Sequence, residues 1–187
     1  MPEWSDGDRV QAHVQRGGVL SRDEIIARIR DPQRPLLRDY VSLDAQVQPN
    51  GIDLTLARVQ RFAGPGRIAT SNEGRVLPEL EPLEPDEEGW FHLTPGAWHI
   101  TYNEIVALPD DLMALGRPRS SLGRSGVAIH TAVWDAGYEG RSTSLMQVMN
   151  PAGFSVELNA RVMQLVFMTL NQATSAGYSG QYQGENI

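Results

Sequence analysis

The apolar runs of this sequence are short, and nearly every one stops at a glycine, a proline or an asparagine. Twelve prolines and eighteen glycines are spread over 187 residues. That punctuation leaves little room for long helices and many stretches of strand length. Ile52, Leu54 and Leu56 alternate with Asp53, Thr55 and Ala57 just after the turn signal Val47-Gln48-Pro49-Asn50-Gly51, which reads as a half-buried strand. Residues 90–93 and 97–101 read as two strands round the turn Thr94-Pro95-Gly96, and 104–108 as another. Four more follow at 127–133, 142–149, 154–158 and 162–170. Many short strands with little helix predict a mainly β fold, a barrel or a jelly-roll-like pair of sheets. One helix is expected near 21–30. There Ser21-Arg22-Asp23-Glu24 is a capping-box pattern, Ile25, Ile26 and Ile29 follow at helical spacing, and Pro32 ends the run.

The length suits one domain with its own core. Residues 1–18 read as a polar arm, with Trp4 able to tuck onto the surface, and 19–174 as the folded domain. Residues 63–89 are rich in glycine, proline and acid and read as a solvated insertion. The tail 175–187 is small, polar and aromatic, and is either a free end or a lid that orders over a ligand. A net charge of −7 argues against a general nucleic-acid binder. The absence of cysteine excludes disulfides, thiolate chemistry and cysteine-based zinc sites. The absence of lysine excludes Schiff bases and a P-loop lysine. With no long apolar run and no signal-peptide core, the expectation is a cytoplasmic protein without membrane contact.

Gly116-Arg117-Pro118-Arg119-Ser120-Ser121-Leu122-Gly123-Arg124-Ser125-Gly126 packs three arginines, three serines and three glycines into eleven residues. Small residues let a backbone approach a ligand, and arginine presents a planar fork that suits phosphate oxygens. Pro118 before Arg-Ser-Ser also opens a short helix. A solvated arginine-rich turn is the competing reading. His92, His99 and His130 lack metal-ligand spacing and are taken as structural, and Trp134 as a core aromatic. Asp53, alone after a turn, is on its own residues a backbone-capping aspartate.

Six stretches in order then resemble one superfamily, the dUTP diphosphatases and dCTP deaminases. They are Gln48-Pro49-Asn50-Gly51-Ile52-Asp53-Leu54; Leu93-Thr94-Pro95-Gly96 with Glu104, Leu108-Pro109 and Leu112; Arg119 to Gly126; Trp134-Asp135-Ala136-Gly137-Tyr138-Glu139-Gly140; Asn159-Ala160-Arg161-Val162-Met163-Gln164 with Phe167; and Gly177-Tyr178-Ser179-Gly180-Gln181-Tyr182-Gln183-Gly184. The ending looks like the archaeal-type diphosphatases within the dCTP deaminase family. The resemblance implies a distorted jelly-roll or β-barrel subunit with a short N-terminal helix. It also implies a homotrimer with nucleotide sites between subunits, and Mg²⁺ held mainly by the triphosphate.

The family's deaminases carry a glutamate on the strand after the Asp-Gly-aromatic-Gly motif. Here that strand reads Arg141-Ser142-Thr143-Ser144-Leu145-Met146-Gln147, without one, and Gln147 is the best match. An amide cannot cycle a proton near neutral pH. The expected reaction is therefore hydrolysis of dUTP to dUMP and pyrophosphate. The resemblance gives Asp135 as the base that orients the water, and Arg119, Ser120, Ser121 and Arg124 as the phosphate cradle, with Arg124 also acting on the developing charge. Tyr138 would pack under the deoxyribose. Thr131, Gln147, Gln164, Tyr178, Tyr182 and Gln183 would complete the substrate contacts, and Asp53 would reach magnesium through water. The alternatives are a dCTP deaminase whose acid/base has migrated, and a non-catalytic nucleotide-binding trimer.

Overall fold

A computed structural model describes residues 17–187. The N-terminal arm, Trp4 included, lies outside the described residues apart from Gly17 and Gly18. In chain order the elements are α1 (Arg22–Ile29), β1 (Leu37–Arg38), α2 (Leu43–Gln46), β2 (Val47–Gln48), β3 (Gly51–Phe62), a 3₁₀ turn (Asn72–Gly74), β4 (Leu80–Leu83), β5 (Trp90–Leu93) and β6 (Gly96–Ala107). Next come β7 (Leu112–Pro118), α3 (Ser120–Arg124), β8 (Val127–His130), β9 (Val133–Trp134), β10 (Glu139–Val148), β11 (Phe154–Glu157) and β12 (Arg161–Thr169). The mainly β expectation holds. Helix α1 begins at the expected capping box: the Glu24 carboxylate accepts from Ser21 N at 2.8 Å and from Ser21 Oγ at 2.7 Å. Ile25 and Ile29 are its buried face.

Ten strands form one antiparallel sheet whose main path runs β8-β10-β6-β3-β12-β7-β9; β1 joins β6, and β2 and β4 join β3. Strands β8 and β9 stand at opposite ends of this path, yet only Thr131 and Ala132 separate them in sequence. The sheet therefore curls until its two edges face each other across that short link, as a half-barrel. Ile52, Leu54, Leu56, Ile100, Tyr102, Leu112, Met146 and Phe167 are fully buried inside it.

Three local readings need correction. The first half of β3 is buried on both faces, since Asp53 and Thr55 are each only 1% exposed. Residues 96–107 are one continuous strand, with Ile100, Thr101 and Tyr102 all buried where the sequence suggested a break. Strands β5 and β6 do not pair across Thr94-Pro95-Gly96: β5 pairs with β11 in a separate two-stranded sheet. The acidic insertion also contributes β4 to the edge of β3. His92 bonds to Ser155 Oγ and Asp86 Oδ2, each at 2.9 Å, and so ties the insertion to that small sheet.

Candidate active site

The Asp-Ala-Gly-Tyr turn joins β9 to β10. Gly137 has φ +85°, and a Cβ there would lie 2.8 Å from the Gly177 Cα, so this position needs glycine for its backbone and for the tail beside it. The turn leaves Asp135 exposed and buries Tyr138. Together they border a cavity of about 250 Å³, whose walls include Val133, Trp134, Tyr178 and Tyr182.

A hydrogen-bonded chain runs through the wall of this cavity. Trp134 Nε1 donates to Ser142 Oγ at 2.6 Å, and Ser142 Oγ lies 3.1 Å from the Tyr138 hydroxyl. Tyr138 donates in turn to Glu185 Oε1 at 2.9 Å. Burial raises the pKa of Tyr138, and the neighbouring Glu185 adds to the shift. Burial also raises the pKa of Glu185, against the hydrogen bond from Tyr138. Asp135 has no side-chain partner among the described residues, so its carboxylate is available to a water or a hydroxyl.

The tail is laid along residues 136–141. Tyr178 N donates to the Ala136 carbonyl at 2.8 Å, Gly184 N to Glu139 O at 2.8 Å, and Arg141 N to Glu185 O at 2.9 Å. The Gln183 amide accepts from Glu139 N and donates to Gly137 O, both at 3.1 Å. Tyr178 meets Tyr138 edge-on with ring centroids 5.7 Å apart. Tyr178, Tyr182 and Gln183 are thus brought to Asp135 and Tyr138.

The arginine loop forms a second cluster. Arg119 caps α3, as the loop sequence suggested, and its backbone N donates to Val162 O at 3.1 Å. Ser120, Ser121 and Arg124 are exposed along this turn, while Leu122 anchors it in the core. Gln164 on β12 pairs in register with Asp53 on β3 and with Arg117 on β7. Asp53 is buried and its Oδ2 is shared by Arg119 and Arg161. A carboxylate enclosed by two guanidiniums does not fit a ligand for magnesium, and no group of three or more His, Cys, Asp or Glu side chains could hold a metal among the described residues. Burial raises the pKa of Asp53, with both arginines opposing the shift.

No hydrogen bond or ion pair joins the two clusters within this chain among the described residues. Thr131 lies in the link between β8 and β9, with its methyl group over Gly116. Gln147 stands on the exposed face of β10, 3.4 Å from His130 Nε2, and does not line the cavity. Glu185 and Ser142 belong to the site without having been legible as such. Glu185 lies in a tail with no periodicity, and Ser142 is one of several small polar residues on a strand.

A model of the dCTP deaminase-like family matches residues 19–170. The chain belongs to the dCTP deaminase-like family. Among family relatives, a probable deoxyuridine 5′-triphosphate nucleotidohydrolase of Methanosarcina mazei is 47% identical over 168 residues, 90% of this chain and 98% of the relative. A protein of the same description from Archaeoglobus fulgidus is 49% identical over 169 residues, again 90% and 98% of the two chains. The solved 2′-deoxycytidine 5′-triphosphate deaminase of Agrobacterium tumefaciens shares the fold, with TM-score 0.62 and 23% identity over 82% of this chain and 48% of that one. No helix among the described residues is long and apolar enough to cross a membrane.

Proposed function

We propose that this chain is a dUTP nucleotidohydrolase that converts dUTP and water to dUMP and pyrophosphate. The observation that carries the reading is the pairing of an unpartnered, exposed Asp135 with the buried Tyr138 at the mouth of the cavity, beside a strand β10 that has no carboxylate from Arg141 to Val148. The near-full-length likeness to the archaeal nucleotidohydrolases supports the same reading.

In the proposed reaction the base enters the cavity between the Thr131–Trp134 link and the tail, where the backbone of Thr131 and Ala132 lies outside the sheet ladders. The deoxyribose packs on the Tyr138 ring, which leaves no room for a 2′-hydroxyl. Asp135 holds a water in line with the α-phosphorus and accepts its proton. The water oxygen bonds to the α-phosphorus as the bond to the bridging oxygen breaks, and that oxygen leaves with the pyrophosphate. Arg119, Arg124, Ser120, Ser121 and Gln164 take up the phosphate oxygens, and the arginines neutralise the charge that develops there. Mg²⁺ belongs to this reading as a counter-ion carried on the triphosphate, and Asp53 is not its ligand. Tyr178, Tyr182 and Gln183 cover the bound nucleotide.

Because no hydrogen bond or ion pair joins the two clusters among the described residues, we propose that the complete site draws on a second copy, in a homotrimer in the cytoplasm. The N-terminal arm, the 19–174 domain and the 175–187 lid are the proposed divisions of the chain.

Incubation with dUTP, dCTP, dTTP and UTP, with product identification, tests the function. The expected outcome is dUMP and pyrophosphate from dUTP alone. Ammonia released from dCTP would instead favour the deaminase. The observation on that side is the Glu185 carboxyl, which stands in the cavity wall with a raised pKa. Tight dUTP binding without pyrophosphate release would mark a non-catalytic binder.

A further inference from the structure

Asp53 is where two arginines meet. Its Oδ2 accepts from Arg161 Nη1 at 3.4 Å and lies 3.1 Å from Arg119 Nε as an ion pair. The Asp53 side chain is 2% exposed, whereas those of Arg119 and Arg161 are 34% and 35% exposed. Each arginine is also tied to the backbone. Arg119 Nη1 donates to the Arg161 carbonyl at 3.4 Å, and Arg161 Nη1 donates to the Ala45 carbonyl. The Nη2 atoms of both arginines, and Arg161 Nε, have no protein partner among the described residues.

Two guanidiniums repel each other, and a buried carboxylate is costly unless paired. One carboxylate between two arginines leaves a local excess of one positive charge on a chain of net charge −7. Asp53 is itself fixed from behind. Gln46 Nε2 donates to the Asp53 carbonyl at 2.8 Å and to Glu104 Oε1 at 2.7 Å. Glu104, fully buried, also accepts from Thr55 N at 2.9 Å and Thr55 Oγ1 at 2.6 Å. The arrangement holds two partly exposed forks of donors side by side, next to Ser120 and Gln164.

We propose that Arg161 is a third phosphate-binding arginine, beside Arg119 and Arg124, and that Asp53 is the positioning residue that holds Arg161 and Arg119 together for a chain of linked phosphates. The inference rests on the nucleotide reading of the arginine loop. It replaces a metal-contacting role for Asp53 with an electrostatic one, and it recruits a residue from β12 that the motif reading left without a task.

Titration calorimetry of the intact protein with inorganic tripolyphosphate and with dUMP tests it in wild type, R161Q and R161K. One charge-assisted hydrogen bond corresponds to about ten- to a hundredfold in affinity. R161Q is therefore expected to lose about tenfold or more for tripolyphosphate, and less than about twofold for dUMP. R161K keeps the charge without the fork and is expected to fall in between, and it supplies the readout if R161Q does not fold. Equal losses for both ligands, or none, would overturn the role of Arg161. In D53N the KM for dUTP is expected to rise while the Mg²⁺ concentration giving half-maximal rate stays unchanged. A shift in that concentration would return Asp53 to the metal. A wild type that binds tripolyphosphate through Arg161 yet leaves dUTP intact would refute the proposed function and leave this inference standing.

Discussion

Asp135 keeps an exposed carboxylate beside a tyrosine that is 6% exposed. A general base of this kind contributes roughly 10²- to 10⁴-fold to rate. D135N should therefore lower kcat by about that factor while binding of a non-hydrolysable dUTP analogue changes little; single-turnover kinetics and calorimetry together check it, and full activity would remove Asp135 from the mechanism. Tyr138 has two separable parts. Its ring is the proposed barrier to a 2′-hydroxyl, and its hydroxyl holds Glu185 and Ser142. Y138F should keep the preference for dUTP over UTP yet lower stability by about 1–3 kcal/mol, because two polar partners lose their bond. Thermal melts and the ratio of kcat/KM for the two substrates give both numbers. Asp135 and Tyr138 were legible because a short motif places them three residues apart in one turn. Glu185 was not, since it reaches Tyr138 only through the path of the tail, 47 residues on. Asp53 was misread in its first form because a sequence shows a turn beside it and hides the arginines of β12 and α3.

At the scale of elements, the tail and the Asp135–Gly140 turn behave as one unit. Gly137 lies where a side chain would strike the tail, so G137A combines a strained backbone with a lost docking surface. It should free the tail, raise the KM for dUTP and leave the core melt nearly unchanged, seen as loss of amide protection at Gly184 and Arg141 without loss in β3 or β12. The same docking depends on pH. Glu185 has a pKa raised by burial, so the docked tail holds a proton that the free tail releases. This contribution is full below the ordinary glutamate value and is lost as pH rises through the raised one. Hydrogen exchange across that window should show the tail loosening with rising pH; protection that grows instead would contradict the assignment of the shift to burial. Strand existence was legible from punctuation and alternation. Pairing was not, as β5 and β6 show: the turn between them has hairpin chemistry, but the partner of β5 arrives more than 50 residues later.

Among the described residues the main sheet curls until β8 faces β9, and the Thr131–Ala132 link spans that seam. The fold class followed from short runs and turn residues, and the family from six motifs in order. Where the motifs meet did not follow, because no hydrogen bond or ion pair joins the arginine cluster to the Asp135 cavity among the described residues. An assembly that completes one site from two copies predicts complementation. Mixing inactive D135N with inactive R119Q, after dissociation and reassembly, should restore part of the activity. Mixtures as inactive as their components would place each site within one chain.

The proposed reaction turns on attack by water on the α-phosphorus of dUTP. Hydrolysis in ¹⁸O-water followed by mass spectrometry tests it most directly. The label should appear in dUMP and leave pyrophosphate unlabelled. Label in pyrophosphate, or intact dUTP alongside ammonia released from dCTP, would contradict it.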